Sequence, residues 1–267
     1  MFGNIFSQKM EASVNKITAI VHTYNSEKYL DECLSALKNV DEILVCDMYS
    51  TDKTIEIANK HNARIIYHEN IGYADPARNW AMEQATGDWI LVVDSDEIVS
   101  DEFIDYIKAA IEKPDCADVY KVAFKAIYFG KFITHKYPDF QPRFFRKGFV
   151  KWGDNVHNGS SFKGKAECLP EKNLNLAFKH YNYESIEHFV NKMNRYTTLE
   201  VENLKQGKKK PTPSYIFTRG IFGFTNTYFL KGAYKDGIHG LIISILVGFY
   251  KFLAIAKYWE YLKDKKN

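Results

Sequence analysis

The sequence predicts an α/β protein with a mainly parallel sheet, mixed strands at the sheet edge and a helical extension at the carboxyl end. Apolar runs typical of buried strands alternate with helical patterns through the first hundred residues, and polar residues follow each run. The end of the chain is instead apolar and aromatic. We therefore expect a tail over residues 1–16, a sheet domain over 17–183 and a helical extension over 184–267.

Four short runs predict the parallel strands, and helical spacing fills the intervals between them. The strands are expected at residues 17–22, 41–47, 64–68 and 89–94, and the third helix is expected to begin at Asp75 and to end at Gly87. Repeated alternation of strand and helix predicts right-handed crossovers in one parallel sheet. That topology brings Tyr24, Asp47 and Asp94 to the same carboxyl edge.

The alternation of strand and helix stops after a predicted helix at residues 100–112. Residues 117–133 alternate in the manner of a strand, and Lys147 and Gly148 predict the turn of a hairpin within residues 143–152. Residues 185–206 return to helical spacing. Mixed or antiparallel strands are therefore expected to extend the sheet.

The stretch WILVVDSDE, residues 89–97, is a buried-strand pattern that ends in three acidic residues. Side chains two positions apart on an extended segment project to the same side, so Asp94 and Asp96 would point together. Two carboxylates without Cys or His between them suit Mg²⁺ or Mn²⁺ better than Zn²⁺. The alternative is an acidic turn in which Asp96 or Ser100 caps the next helix.

Composition restricts the class of partner. The formal net charge is only +3, which by itself does not argue for nucleic acid, and the four cysteines form no CxxC pair. The amino terminus has no continuous apolar core of the kind found in a signal peptide. We expect a protein of the reducing cytoplasm.

Residues 240–256, GLIISILVGFYKFLAIA, resemble a membrane segment but are interrupted by Lys251. The apolar stretch is shorter than the ~20 residues needed to cross a bilayer. Flanking lysines and aromatic residues are those that an interfacial helix uses on anionic lipid. We expect this helix to lie on the inner face of the cytoplasmic membrane; the alternative is a core helix that packs onto the sheet domain or across a dimer interface.

Together these stretches resemble the inverting family 2 glycosyltransferases, which have the GT-A fold and use nucleotide-diphosphate sugars. The matching segments are HTYN, CDMYSTDKT, the NIG loop with ARNWAMEQATGDW, and VVDSDE, in the order of the family. The later segments QPRFFRKGFVKWGDNVH and HYNYESIEHFVNKMNRYTTLE are similar to the branch that adds glucose to the inner core of bacterial lipopolysaccharide.

The resemblance implies a nucleotide-sugar site made of Thr23, Tyr24, Asp47, Arg78 and Asp94. Tyr24 would stack on a pyrimidine, Asp47 would accept hydrogen bonds from uracil or ribose, and Arg78 would reach the diphosphate or the base. The alternatives are an ordinary edge aromatic, a helix-capping acid and a surface salt bridge, respectively.

The resemblance also implies the groups needed for transfer. Asp94 would hold ribose or the metal, and Asp96 would bind the Mg²⁺ or Mn²⁺ directly. An acceptor hydroxyl needs a general base, for which we choose Asp154, with His157 as a metal or phosphate contact. The alternatives are a Gly-Asp turn and a structural histidine, and His180 is a substitute for either residue.

The implied activity is transfer of a sugar, glucose by the closest resemblance, from a UDP-sugar to a lipid-linked or lipopolysaccharide saccharide, without a nucleic-acid partner. Other polysaccharide or polyisoprenyl phosphate acceptors stay open. A catalytically inactive sugar-nucleotide scaffold is a second alternative, because Asn158 stands where related sequences commonly have Glu. A nucleotidyltransferase is excluded, because no Gly-rich, Arg-containing loop follows the first strand.

Overall fold

The computed structural model describes residues 15–70, 75–153, 159–205 and 211–265. They form two compact units. The described residues of Met1–Ser95, Val99–Lys121 and Pro142–Leu169 belong to the first unit, and those of Asp96–Ile98, Val122–Gln141 and Pro170–Asn267 belong to the second. The boundaries expected from the sequence, after residues 16 and 183, stay a prediction.

Strands and helices alternate along the first part of the chain, as predicted, and helices dominate the last part. The strands are β1 (Ile17–Thr23), β2 (Glu42–Asp47), β3 (Arg64–Tyr67), β4 (Trp89–Asp94), β5 (Glu97–Ile98), β6 (Val119–Tyr128), β7 (Lys131–Phe132), β8 (Phe140–Arg146), β9 (Val150–Trp152), β10 (Ser160–Phe162), β11 (Ala166–Cys168) and β12 (Phe178–Tyr183). The α-helices are α1 (Glu27–Ala36), α2 (Thr54–Lys60), α3 (Asp75–Gln84), α4 (Asp101–Ile111), α5 (Ile186–Lys205), α6 (Pro213–Thr225) and α7 (Ile238–Asp264).

The first unit contains the predicted parallel sheet. Its strands follow the order β3, β2, β1, β4 and β8, and the first four are parallel while β8 is antiparallel to β4. Only the first three residues of β6 belong to this unit. The register pairs Thr23 with Asp47 and His22 with Asp94. The predicted mixed α/β sheet is therefore confirmed, and the carboxyl ends of β1, β2 and β4 lie side by side.

Buried apolar residues from both faces of this sheet make the core of the first unit. Every residue of β1 and the first five residues of β4 are buried, which fits strands covered by helices on both sides. On α1, Leu30, Cys33 and Leu34 are buried, and Leu37 at the helix end is buried as well. These residues form the single apolar stripe that an amphipathic helix presents to a core.

Gly87 does not end α3, which stops at Gln84; it lies where the chain passes β1. Its backbone N–H donates to Thr18 Oγ1 at 2.8 Å. A Cβ atom at this position would lie 2.6 Å from the carbonyl oxygen of Lys16 and 2.8 Å from the Thr18 nitrogen. The reason for glycine is therefore close approach between two backbones, which helical spacing alone does not reveal.

The predicted hairpin around Lys147 and Gly148 is wrong in its pairing. The chain does turn there, with Gly148 at φ +81° and the Phe149 N–H donating to the Arg146 carbonyl at 3.0 Å. However, β8 pairs with β4 and β6, whereas β9 pairs with β10 in a separate two-stranded sheet. The turn thus directs the chain out of the main sheet.

In the second unit, β12 pairs in parallel with β6 and antiparallel with β5, and β7 pairs antiparallel with β6. Helices α6 and α7 cross through glycines: a Cβ at Gly223 would lie 3.0 Å from the Gly248 Cα atom, and one at Gly248 would lie 2.8 Å from the Gly220 carbonyl oxygen. Helix α7 also packs on α5, where Lys257 Nζ donates to the Asn194 carbonyl at 2.6 Å.

Helix α7 is longer than the sequence pattern suggested. It has 27 residues, and by length and composition it is apolar enough to cross a membrane, so the expectation that the segment is too short is wrong. One third of its most apolar window is buried within the protein. Length and hydropathy alone are weak evidence for a membrane role, because the core helix of a soluble protein can be equally long and apolar.

Candidate functional site

The carboxyl ends of β1 and β2 are joined by a buried hydrogen-bond network around Asp47. Thr23 Oγ1 donates to Asp47 Oδ1 at 2.7 Å, and Ser50 donates to the same carboxylate through its N–H at 2.8 Å and its hydroxyl at 2.6 Å. Thr23 and Asp47 are both fully buried. Three donors therefore stabilise the Asp47 carboxylate and fix the loop after β2.

The loops after β1 and β2 also bind each other directly. Asn25, at φ 49°, donates its N–H to Ser50 Oγ at 2.8 Å and accepts the Thr51 N–H at 2.8 Å. This arrangement leaves the Tyr24 side chain 49% exposed beside the buried network. An aromatic face next to fixed polar groups is suited to a planar base, as predicted for Tyr24.

Arg78 of α3 meets Asp94 at the carboxyl end of β4. Arg78 Nη2 donates to Asp94 Oδ1 at 2.7 Å, and the guanidinium carbon lies 5.6 Å from the centre of the Trp152 ring. The neighbouring Asn79 holds the Trp152 backbone at both polar atoms, accepting its N–H at 2.9 Å and donating to its carbonyl at 3.0 Å. The guanidinium plane is therefore constrained by an ion pair and by an aromatic ring.

The structure adds a second arginine that the sequence analysis missed. Arg143 Nη2, from β8, lies 3.2 Å from Asp94 Oδ2. His22 is buried in the same place, and burial, followed by the positive charges of Arg78 and Arg143, lowers its pKa to about 3. His22 is thus neutral near pH 7. In the sequence, the position of Arg143 within the largely apolar segment FQPRFFR is the feature that could have indicated a role for it.

Asp96 lies in the second unit. Its carbonyl accepts the Tyr181 N–H at 3.0 Å, and its Oδ2 lies 3.5 Å from His180 Nε2. His180 Nδ1 lies 3.8 Å from an oxygen of the buried Glu97. The Asp96 oxygen is a ligand that suits Mn²⁺ or Mg²⁺, whereas the imidazole nitrogen suits a transition metal such as Mn²⁺ better than Mg²⁺. No group of three such ligands occurs among the described residues.

The structure therefore brings Thr23 together with Asp47, and Arg78 together with Asp94, at neighbouring strand ends of the first unit. His180, the substitute proposed for the general base or the metal contact, lies near Asp96. Asp154 and His157 lie outside the described residues. The predicted catalytic pair accordingly stays a prediction.

Comparison with known proteins agrees with this picture. The model of the Glycosyl transferase family 2 matches residues 18–165. An uncharacterised glycosyltransferase of Rickettsia typhi is 28% identical over 265 residues, covering 95% of this chain and 90% of its own. The lipopolysaccharide core biosynthesis glycosyltransferase LpsC of Rhizobium meliloti is 25% identical over 258 residues, covering 91% and 92% of the two chains.

Among solved structures, residues 1–349 of TarS from S. aureus share 20% identity with a TM-score of 0.48, covering 94% of this chain and 92% of that one. The family match spans more than half of the sequence, including β1, β2, α3 and β4, and the observed sheet is mainly parallel with mixed strands at its edge, as expected for the GT-A fold. This protein belongs to glycosyl transferase family 2.

Proposed function

We propose that this glycosyltransferase moves a sugar, glucose in our assignment, from a UDP-sugar to a hydroxyl group of a lipid-linked or lipopolysaccharide-core saccharide, with inversion at the anomeric carbon. The observation that carries the proposal is the pair of polar clusters, Thr23 with Asp47 and Arg78 with Asp94, at adjacent carboxyl ends of parallel strands. Ligands of open α/β sheets bind at this edge.

The reaction breaks the bond between the anomeric carbon and the diphosphate oxygen, which keeps the electron pair. The acceptor oxygen bonds to the same carbon from the opposite face, and its proton passes to a base, for which we propose Asp154. In this assignment Tyr24 stacks on the uracil, while Thr23 and Asp47 shape the base and ribose pocket. Arg78 faces the negative charge that develops on the leaving diphosphate.

A divalent cation is part of the proposal. Mg²⁺ or Mn²⁺, when bound, offsets charge on the leaving diphosphate. The 3.5 Å approach of His180 Nε2 to Asp96 Oδ2 supports these two side chains as its protein ligands. His157 is the third contact that we propose. Both cations accept water and phosphate oxygens as further ligands, so a site with few protein ligands is chemically sufficient.

The acceptor assignment draws on the relatives and on the second unit. LpsC is named for lipopolysaccharide core biosynthesis, and it aligns along nine tenths of this chain. The described part of α6 and α7 exposes large apolar side chains, among them Phe217 at 67% and Phe249 at 45%. An enzyme whose acceptor is anchored in lipid needs such a surface, so we place it on the cytoplasmic face of the inner membrane.

Calorimetric titration with a panel of UDP-sugars tests the donor assignment. We expect one UDP-sugar to bind in the presence of Mn²⁺, and to bind weakly with EDTA or in Asp96→Asn. Slow hydrolysis of that donor is expected as well. Binding without hydrolysis in the presence of candidate acceptors would favour a scaffold, and failure to bind any UDP-sugar would reject the proposed function.

A further inference from the structure

The turn that joins α6 to α7 exposes apolar side chains. It contains a π-helical turn at Asn226–Leu230 and a 3-10 turn at Ala233–Asp236, and α7 follows from Ile238. We call residues 226–238 the α6–α7 turn. Leu230 is 78% exposed, the largest exposed fraction among the large hydrophobic residues that the structure describes. Because connections between helices are usually polar, an apolar turn at the surface needs a reason.

The exposed side chains of the α6–α7 turn form a group. Four of them are each more than half exposed, namely Phe229, Leu230, Tyr234 and Ile238. The ring of Tyr228 lies between two of these, with its centre 5.0 Å from that of Phe229 and 6.3 Å from that of Tyr234. Single exposed apolar residues are common on proteins, but several on one turn mark a contact surface.

Hydrogen bonds hold the α6–α7 turn in one conformation. The buried Asp236 carboxylate accepts the Thr134 N–H at 2.9 Å and the Thr134 hydroxyl at 2.6 Å. The Lys131 ammonium group donates to the Asp236 carbonyl at 2.9 Å, and the Lys231 N–H donates to the Asn226 carbonyl at 2.8 Å. The apolar group is therefore presented on a fixed backbone, which lowers the entropy cost of binding a partner.

The charges around the turn indicate the class of partner. Between Glu202 and Glu260 the sequence contains nine lysine and arginine residues but a single acidic residue, the buried Asp236. Lys231 and Lys235 belong to the turn itself, and both are exposed. Aromatic and aliphatic side chains next to lysines are the combination that peripheral proteins present to anionic lipid.

We propose that the α6–α7 turn inserts its apolar side chains into an anionic membrane, with Lys231 and Lys235 at the lipid headgroups. Leu230 is the principal inserted residue. This inference deepens the proposed function and rests on it, because a lipid-linked acceptor is what requires the membrane contact. It adds a defined insertion point to the exposed apolar faces of α6 and α7.

Flotation of Leu230→Glu with vesicles of phosphatidylcholine and phosphatidylglycerol tests the insertion. We expect binding to fall at least about tenfold, because burial of a leucine is lost and a negative charge faces the lipid. Leu174→Glu is the matched control, since Leu174 is a 43% exposed leucine of the second unit outside the turn. It should bind as the wild-type protein does.

Three results of this flotation would overturn the proposal: wild-type protein that does not bind the vesicles, Leu230→Glu that binds as wild type, or equal losses in both variants. Unchanged vesicle binding together with a changed oligomeric state of Leu230→Glu would assign the turn to a contact between copies of the chain. That result would also reject the membrane assignment.

The double variant Lys231→Gln/Lys235→Gln tests the role of charge. We expect its binding to fall about tenfold or more on vesicles that contain phosphatidylglycerol, because both lysines lie near the anionic surface. On phosphatidylcholine alone its binding should equal that of the wild-type protein. Equal losses on both kinds of vesicle would contradict a contact between these lysines and anionic headgroups.

A depth measurement separates insertion from a folding defect. A fluorophore is attached at Leu230→Cys or at Leu174→Cys, in a Cys168→Ser background because Cys168 is an exposed free thiol. Brominated lipid should quench the label at position 230 and not the label at position 174, and an unquenched label at 230 would overturn the proposal. Titration with UDP-sugars is run on the same proteins. Wild-type protein that inserts but binds no UDP-sugar would reject the proposed function and leave the insertion supported.

Discussion

The two compact units present different chemistry to their surroundings. The first unit gathers hydroxyl, carboxylate and guanidinium groups at the ends of β1, β2 and β4. In the second unit, the described residues of α6 and α7 expose phenylalanine and isoleucine side chains around an apolar groove of about 460 Å³. One surface suits a charged, water-soluble donor, and the other suits a hydrocarbon phase.

Buried carboxylates sharpen this contrast. Asp47 in the first unit and Asp236 in the second are 0% and 2% exposed, and each accepts several hydrogen bonds. Asp47 closes a network between two loops at the sheet edge where open α/β sheets typically bind ligands. Asp236 instead joins the start of α7 to the segment around Thr134 and His135. We therefore expect changes at Asp236 to act on stability and not on donor binding.

The largest effect is expected for Asp236→Ala. The Asp236 carboxylate accepts bonds from Thr134 N–H at 2.9 Å and Oγ1 at 2.6 Å, and His135 Nδ1 lies 2.5 Å from it. Removing the acid leaves these buried donors without an acceptor, and we expect the free energy of unfolding to fall by about 3–5 kcal/mol. Urea denaturation measures the loss.

The same network predicts an acid-sensitive component of stability. Burial alone would raise the pKa of Asp236, but the bonds from Thr134 and His135 prevail and lower it from 3.8 to about 2. A depressed carboxyl pKa gives stability that is complete above pH 3.8 and is lost as the pH falls toward 2. In Asp236→Ala the free energy of unfolding should therefore depend less on pH between pH 3.8 and about 2. The exposed Asp264→Ala is the control, and an equal effect of both substitutions would contradict the assignment.

Substitution of one glycine in each unit by alanine measures how closely the backbone is packed there. In Gly87→Ala the new methyl group would lie 2.6 Å from a backbone oxygen of the first unit, and in Gly223→Ala it would lie 3.0 Å from the Gly248 Cα atom of the second. We expect losses of about 3 kcal/mol and about 1 kcal/mol, respectively, because the approach to backbone atoms is closer at Gly87 and overpacking there costs more. Chemical denaturation of both variants checks the order, and the reverse order would refute it.

Much of the first unit follows from local pattern. Short runs such as ITAIVH and WILVVD can be buried only as central strands, so their order and the polar residues after them were predictable. The partners of those residues were not. Arg143 reaches Asp94 across 49 residues of sequence, and nothing in FQPRFFR indicates which carboxylate it meets. Long-range pairing depends on register, and no single segment encodes it.

In the second unit, the sequence pattern predicted less of the structure. Its apolar pattern was visible, but its helix bounds and its glycine crossing were not, because Gly220, Gly223 and Gly248 look like helix breakers until two helices meet through them. The hairpin at Gly148 failed for a related reason: a turn signal fixes the turn but not the strands that pair beyond it. Pattern therefore predicted elements better than their contacts.

The most direct probe of the contrast between the units is loss of lipid binding in the double variant Phe217→Glu/Phe249→Glu. Both side chains line the apolar groove, and Arg219, Lys231 and Lys235 are the only charged residues between Pro211 and Lys235, which suits an anionic surface. We expect binding to vesicles of phosphatidylcholine and phosphatidylglycerol to fall at least about tenfold, because each buried phenylalanine contributes about 1.5–3 kcal/mol.

Flotation with such vesicles measures this binding, and calorimetry with UDP is run on the same samples. Phe162→Glu on β10 is the control, because Phe162 is 40% exposed in the first unit and does not line the apolar groove of α6 and α7. The double variant should lose the vesicles and keep UDP, while Arg78→Met should lose UDP and keep the vesicles. If the two variants fail in both assays alike, the units do not divide donor and lipid binding between them, and the C-terminal helices serve the core instead.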